Sequence, residues 1–117
     1  MKLKVIQNRN ASRVFIHVGV NGQIRLRLPV VEWLNIKKGD YILAATDEQE
    51  VGKPKHLYFI KSDKKDDYRG YKVSNGNGAH HISAKSLIES FNLERPKAYP
   101  YEMIDDKDSG KLIKIIL

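Results

Sequence analysis

Four histidines, His17, His56, His80 and His81, are the side chains best suited to metal or proton chemistry, and their spacing does not assemble a site. His80 and His81 are neighbours in a strand-like run, so they point to opposite faces and do not share one ion. No histidine pair has helical spacing, and none has a Glu beside it in a zincin pattern. The acidic stretches 63–67 and 105–110 lack the alternating ligands and terminal Glu of a calcium loop and read as solvated turns. Ser74-Asn75-Gly76-Asn77-Gly78 lacks the Gly-Lys-Ser/Thr ending of a phosphate loop and reads as a hairpin connection. Ser83, Ser86 and Ser90 stand outside any Gly-x-Ser-x-Gly context, and Ser83 fits a helix N-cap. Trp33 is assigned to the core. Tyr99 and Tyr101 share one strand face, where they line either a ligand surface or the rim of the core. With no cysteine at all, disulfide scaffolds, thiolate zinc sites and thiol nucleophiles are excluded. The expectation is a protein that is not an enzyme, with no catalytic residues, no metal and no cofactor.

The cations are more informative. The chain has 117 residues and a formal net charge of +7, distributed unevenly. Residues 1–45 hold eight basic residues (Lys2, Lys4, Arg9, Arg13, Arg25, Arg27, Lys37, Lys38) against Glu32 and Asp40, a local balance of +6. Residues 46–117 hold 13 basic and 12 acidic residues, a balance of +1. The four arginines of the first part fall in and around one predicted hairpin. Such an excess attracts polyanions with a strength that falls as salt rises.

Strands must position these groups. The β-branched and aromatic run 14–20 is followed by Asn21-Gly22 and then by the alternating run 23–28. Asn-Gly between two such runs is a hairpin signal, because both residues tolerate positive φ. In the second strand Ile24, Leu26 and Leu28 share one face, and Gln23, Arg25 and Arg27 the other. Pro29 opens a short helix over 30–34. Residues 35–40 end it, with Gly39 suited to a left-handed turn. Strands follow at 41–46 and 56–61, then an exposed charged loop at 62–70 and a short strand at 71–73. A second helix is expected over 84–91, with strands at 99–104 and 111–117. No apolar run approaches the roughly 20 residues of a membrane-spanning helix, and Met1-Lys2-Leu3-Lys4 leads straight into a strand without a secretory hydrophobic region. A cytoplasmic location without membrane association is expected.

The same order of turn, strand, short helix and hairpin occurs twice, over approximately 14–61 and 71–117. Leu34-Asn35-Ile36 and Phe91-Asn92-Leu93 occupy the same point of each half, 57 residues apart, and the second helix reads as about three residues longer. Neither half has enough apolar surface to fold alone, so a single domain of 1–117 is expected, with the halves interlocked around one core. The fold class is mainly β with short helices (α+β), a small barrel built from two related strand-helix-hairpin halves.

Gly22-Gln23-Ile24-Arg25-Leu26-Arg27-Leu28-Pro29, followed by Leu34-Asn35-Ile36-Lys37-Lys38-Gly39-Asp40-Tyr41-Ile42, resembles the AbrB-type swapped-hairpin family of bacterial transition-state regulators and antitoxins. The likeness covers 22–46. Glu94-Arg95-Pro96 stands where the second half would carry the Gly-Asp ending. That family builds its barrel from two chains. Two copies in one chain imply a monomer with pseudo-twofold symmetry, as in the related double-psi barrels, with a homodimer as the alternative. The resemblance implies regulatory binding of duplex DNA through the barrel's basic face. Arg25 and Arg27 are the first candidates, Arg9 and Arg13 extend the patch, and Lys37 and Lys38 complete it. Guanidinium groups suit this work because they stay charged and bond phosphate or guanine edges in pairs. Two other readings are a non-enzymatic adaptor barrel whose basic patch meets an acidic protein partner, and a phage or mobile-element domain.

Overall fold

The computed structural model describes residues 1–4, 15–76 and 79–117. The elements run β1 (Phe15–Val18), β2 (Gln23–Leu26), α1 (Leu28–Leu34), β3 (Tyr41–Ala45), β4 (His56–Lys61), β5 (Tyr71–Gly76), β6 (Ala79–Ser83), α2 (Lys85–Ser90), β7 (Lys97–Asp106) and β8 (Gly110–Ile116). The strands close into one barrel in the order β1-β2-β6-β5-β3-β4-β8-β7. Every neighbouring pair is antiparallel. The chain is mostly β with two short helices. Exchanging β1–β4 with β5–β8 leaves this circle of neighbours unchanged.

Alternation explains the core. Ile16 and Val18, Ile24 and Leu26, Leu57 and Phe59, Val73, Ile82, Tyr99 and Tyr101, and Ile113 and Ile115 are all buried, each on the inward side of its strand. Tyr99 and Tyr101 thus belong to the core. Phe59, at 0 % exposure, is the bulkiest of the fully enclosed side chains.

Each helix closes one end of the barrel. Pro29 sits in the first turn of α1, where its missing N–H leaves no bond unmade. Val30, Val31 and Leu34 face inward. Trp33 packs against the core and donates its indole N–H to the Leu112 carbonyl at 3.1 Å. The Lys111 ammonium stands 4.7 Å from the Trp33 ring centre. Asn35, at φ 53°, ends the helix in the left-handed region. Its N–H donates to the Glu32 carbonyl at 3.2 Å, and that of Ile36 to the Val31 carbonyl at 3.1 Å. Asn92, at φ 51°, ends α2 in the same way. Its N–H donates to Glu89 at 3.1 Å and that of Leu93 to Ile88 at 2.9 Å. Asparagine suits both places because it tolerates this backbone region better than other residues with a Cβ.

Several local expectations are corrected. The β1–β2 turn is not a two-residue Asn-Gly turn. Gly22 N–H donates to the Gly19 carbonyl at 3.2 Å, and Gly22 alone has positive φ, at 85°. Ser83 is the last residue of β6 rather than a cap; Ala84 occupies the N-cap position with no side-chain hydrogen bond. β5 continues through Ser74, Asn75 and Gly76, because these residues pair with His81, His80 and Ala79. α1 has 7 residues and α2 has 6, so the second helix is not the longer. Segment 62–70 is not wholly exposed: Ser62 and Asp67 are buried. The Asp67 carboxylate accepts from Arg69 Nε at 2.9 Å, Arg69 Nη2 at 2.8 Å and Ser62 Oγ at 2.6 Å. The bonds from Arg69 and then Ser62 hold its pKa well below the usual carboxylate range.

Two predictions follow from this loop. A Cβ on Gly70 would lie 2.5 Å from the Ile42 carbonyl oxygen, which is backbone and has little freedom to move. Gly70→Ala is expected to destabilise the barrel by about 1–3 kcal/mol in urea unfolding, the range for overpacking. The depressed pKa of Asp67 favours folding above the ordinary carboxylate value of 3.8 and ceases to do so as acid protonates the folded state. Thermal melts should therefore show wild-type Tm falling below about pH 4, and Asp67→Asn should start lower at pH 7 and fall less.

Candidate functional site

The basic residues are placed by strand register. Arg25 projects from the outer side of β2, since its neighbours Ile24 and Leu26 point inward. Across β1 it faces His17, and across β6 it faces His81. His81 in turn faces Ser74 of β5. Directly opposed side chains on one face have Cβ atoms about 4.5–5.5 Å apart, so one guanidinium is flanked by two imidazoles. These groups edge an open hollow of about 350 Å³, with Asn21 and Gln23 on its wall and Gly19, Gly76 and Ala79 leaving room. Asn21 and Gln23 are preset, their side-chain amides bonding each other at 3.2 Å.

The hairpin carrying these residues is anchored. Gly19 N–H donates to the Gln23 carbonyl at 2.8 Å, and the Gly22 carbonyl accepts from Ala84 at the start of α2 at 2.9 Å. A Cβ on Gly22 would meet the Lys85 Cβ at 3.1 Å. The hollow therefore sits on the barrel wall rather than at the tip of a free arm.

Charge on this face has one sign. The outward positions of β1 (Phe15, His17), β2 (Gln23, Arg25), β6 (Ala79, His81, Ser83) and β5 (Lys72, Ser74, Gly76) include no carboxylate. Arg25 is exposed, and neither it nor Arg27 forms an ion pair with a described residue. By contrast, the β7–β8 hairpin sets Glu102 opposite Lys114 and Asp105 opposite Lys111.

The residues anticipated from sequence are only partly gathered. Arg27 lies past the end of β2 as the N-cap residue of α1, outside the hollow, so it does not share the strand face of Arg25. Its Nε is buried and has no hydrogen-bond partner among the described residues. Lys37 and Lys38 are exposed on the turn after α1. That turn is bound to β5, where Gly39 N–H donates to the Val73 carbonyl at 2.9 Å. Arg9 and Arg13 lie outside the described residues. His17 and His81 were not anticipated as part of a basic site, nor was Lys72. Alternation shows which way each of them points, but the β2–β6 pairing that brings His81 to Arg25 joins distant parts of the chain.

What this arrangement can do is hold an anion. The guanidinium keeps its charge, each imidazole offers an N–H donor in either protonation state, and the amides add neutral donors. Among the described residues no group of three or more His, Asp or Glu side chains could hold a metal ion. No helix among them is long and apolar enough to cross a membrane. Comparison with protein-family models, curated proteins and solved structures finds no match.

Proposed function

We propose that this protein is a non-catalytic, cytoplasmic regulator that binds duplex DNA through the outer face of β1, β2, β6 and β5. The carboxylate-free face with Arg25 between His17 and His81 carries this reading. A surface that presents basic groups without acidic partners attracts phosphate, and it loses that attraction as salt rises. Arg25 offers a bidentate bond to one phosphate, and His17 and His81 reach its neighbours along the same strand row. Gln23 and Asn21 supply amides of the kind that pair with adenine edges. Lys72 and the Lys37-Lys38 turn extend the face across β5. The resemblance of 22–46 to the AbrB-type pattern points the same way. One chain closes the barrel by itself, so the face is complete in a single copy.

Fluorescence anisotropy of a labelled mixed-sequence duplex tests the proposal. A Kd of about 1–10 µM is expected at low salt, and about 40-fold weaker binding between roughly 50 and 200 mM salt for three phosphate contacts. Arg25→Ala should weaken binding and reduce the salt slope by about one contact, while Arg27→Ala, outside the hollow, should do less. Absence of binding at low salt, or an Arg25→Ala variant with unchanged affinity and slope, rejects the reading.

A further inference from the structure

A second hollow, of about 380 Å³, lies on another part of the barrel, between the loop entering β4, the end of α2, the start of β7 and Leu117. Its floor is apolar. Phe91, Leu93 and Leu117 pack against the core yet are only half-buried. Its rim is cationic: Lys53, Lys55 and Lys97 are exposed, and Glu94 is the one acidic side chain among its lining residues. Lys97 Nζ is 3.6 Å from that carboxylate and 4.7 Å from the Tyr99 ring centre.

The rim is held in place. The Glu50 carboxylate accepts from the Lys55 N–H at 3.1 Å and contacts His56 Nδ1 at 2.5 Å. Leu117 N–H donates to the Lys55 carbonyl at 3.0 Å. The matching place at the end of α1 shows what a closed version looks like. There Leu34 and Ile36 are only 4 % and 3 % exposed. Lys61 crosses that cap, donating to the Asn35 carbonyl at 2.9 Å and standing 3.8 Å from Asp40. Beside the α2 cap, Leu117 offers an apolar side chain and leaves the cleft open.

The geometry points to a docking site for an acidic linear segment of a partner protein. One aromatic or branched apolar side chain of the segment enters between Phe91, Leu93 and Leu117, and flanking Asp or Glu residues meet Lys53, Lys55 and Lys97. Charge complementarity selects this occupant. Nucleic acid would bring the anions but would leave the aliphatic floor without a partner. In a second copy of the chain the acidic 105–110 turn carries no apolar side chain to insert, and in the acidic 47–51 loop, which ends in the exposed Val51, Glu50 is already bound by the Lys55 N–H and His56.

The test selects short random peptides on the full chain and measures synthetic versions of the enriched ones by anisotropy. Enrichment of an apolar residue flanked by Asp or Glu is expected. Lys53→Glu/Lys55→Glu should weaken those peptides by roughly tenfold or more. Leu93→Ser should weaken them as well, with thermal melts confirming that both variants fold. Arg25→Ala should bind them as wild type does, whatever its effect on DNA. No enrichment, enrichment without acidic bias, or peptides indifferent to the rim and floor variants would overturn the proposal. So would a dimer in sedimentation that the Lys53→Glu/Lys55→Glu variant abolishes, because a second copy would then be the occupant.

Discussion

Closure of the barrel rests on four seams between the halves of the chain, β2 against β6, β4 against β8, β3 against β5 and β1 against β7. Neither set of four strands has a partner for these edges within itself, and an open edge presents unpaired N–H and C=O groups to any passing strand. At the first seam Ile24 lies opposite Ile82, both fully enclosed. The second seam sets Phe59 opposite Ile113, also fully enclosed. The seams also fix where the helices go. β2 ends beside the start of β6, and β6 ends beside the start of β2, so α1 and α2 leave toward opposite ends of the barrel. Burial of the helix faces is thus a consequence of strand pairing.

The same register sorts charge. A slip of one residue between β2 and β6 would turn Arg25 away from His81 and carry inward residues to the surface, and the buried Ile24–Ile82 pair forbids it. On the β7–β8 hairpin the register sets opposite charges side by side, Glu102 with Lys114 and Asp105 with Lys111, and their fields cancel at short range. On the β1-β2-β6-β5 face no described residue forms an ion pair with Arg25.

Strand positions were largely legible in the sequence, because inward and outward residues alternate with period two and Gly, Pro and Asn mark the breaks. The triplets Leu34-Asn35-Ile36 and Phe91-Asn92-Leu93 were legible for a different reason: a left-handed cap asks for Asn, and the residue after it must cover the last turn. Tertiary pairing was not legible. Ser74, Asn75 and Gly76 have the composition of a turn, yet β6 is available to bond their backbone and they extend a strand. Asp67 looks like one more charge in a solvated run; only Arg69 and Ser62, folded around it, make burial tolerable. At the site, the outward direction of Arg25 could be read from alternation, but its two histidine neighbours come from different strands. Arg27 was misplaced because the strand stops at Leu26 and the helix begins sooner than the alternating pattern suggests.

With Phe59 and the branched aliphatic residues enclosed in the barrel, the wall and the helix ends are the places left for recognition. The two hollows there differ in the water they must release. Around Arg25 the lining is donor-rich and open, suited to a ligand that keeps most of its hydration and is drawn by long-range charge, as a phosphate backbone is. Beside the α2 cap the useful surface is aliphatic and aromatic, so affinity there depends on burying an apolar group while the lysines select the sign of what surrounds it. The first kind of contact weakens steeply with salt and tolerates many sequences, whereas the second depends on shape and on one inserted side chain. On the two proposals, DNA and a protein partner would occupy separate surfaces of one barrel, the first around Arg25 and the second beside the α2 cap.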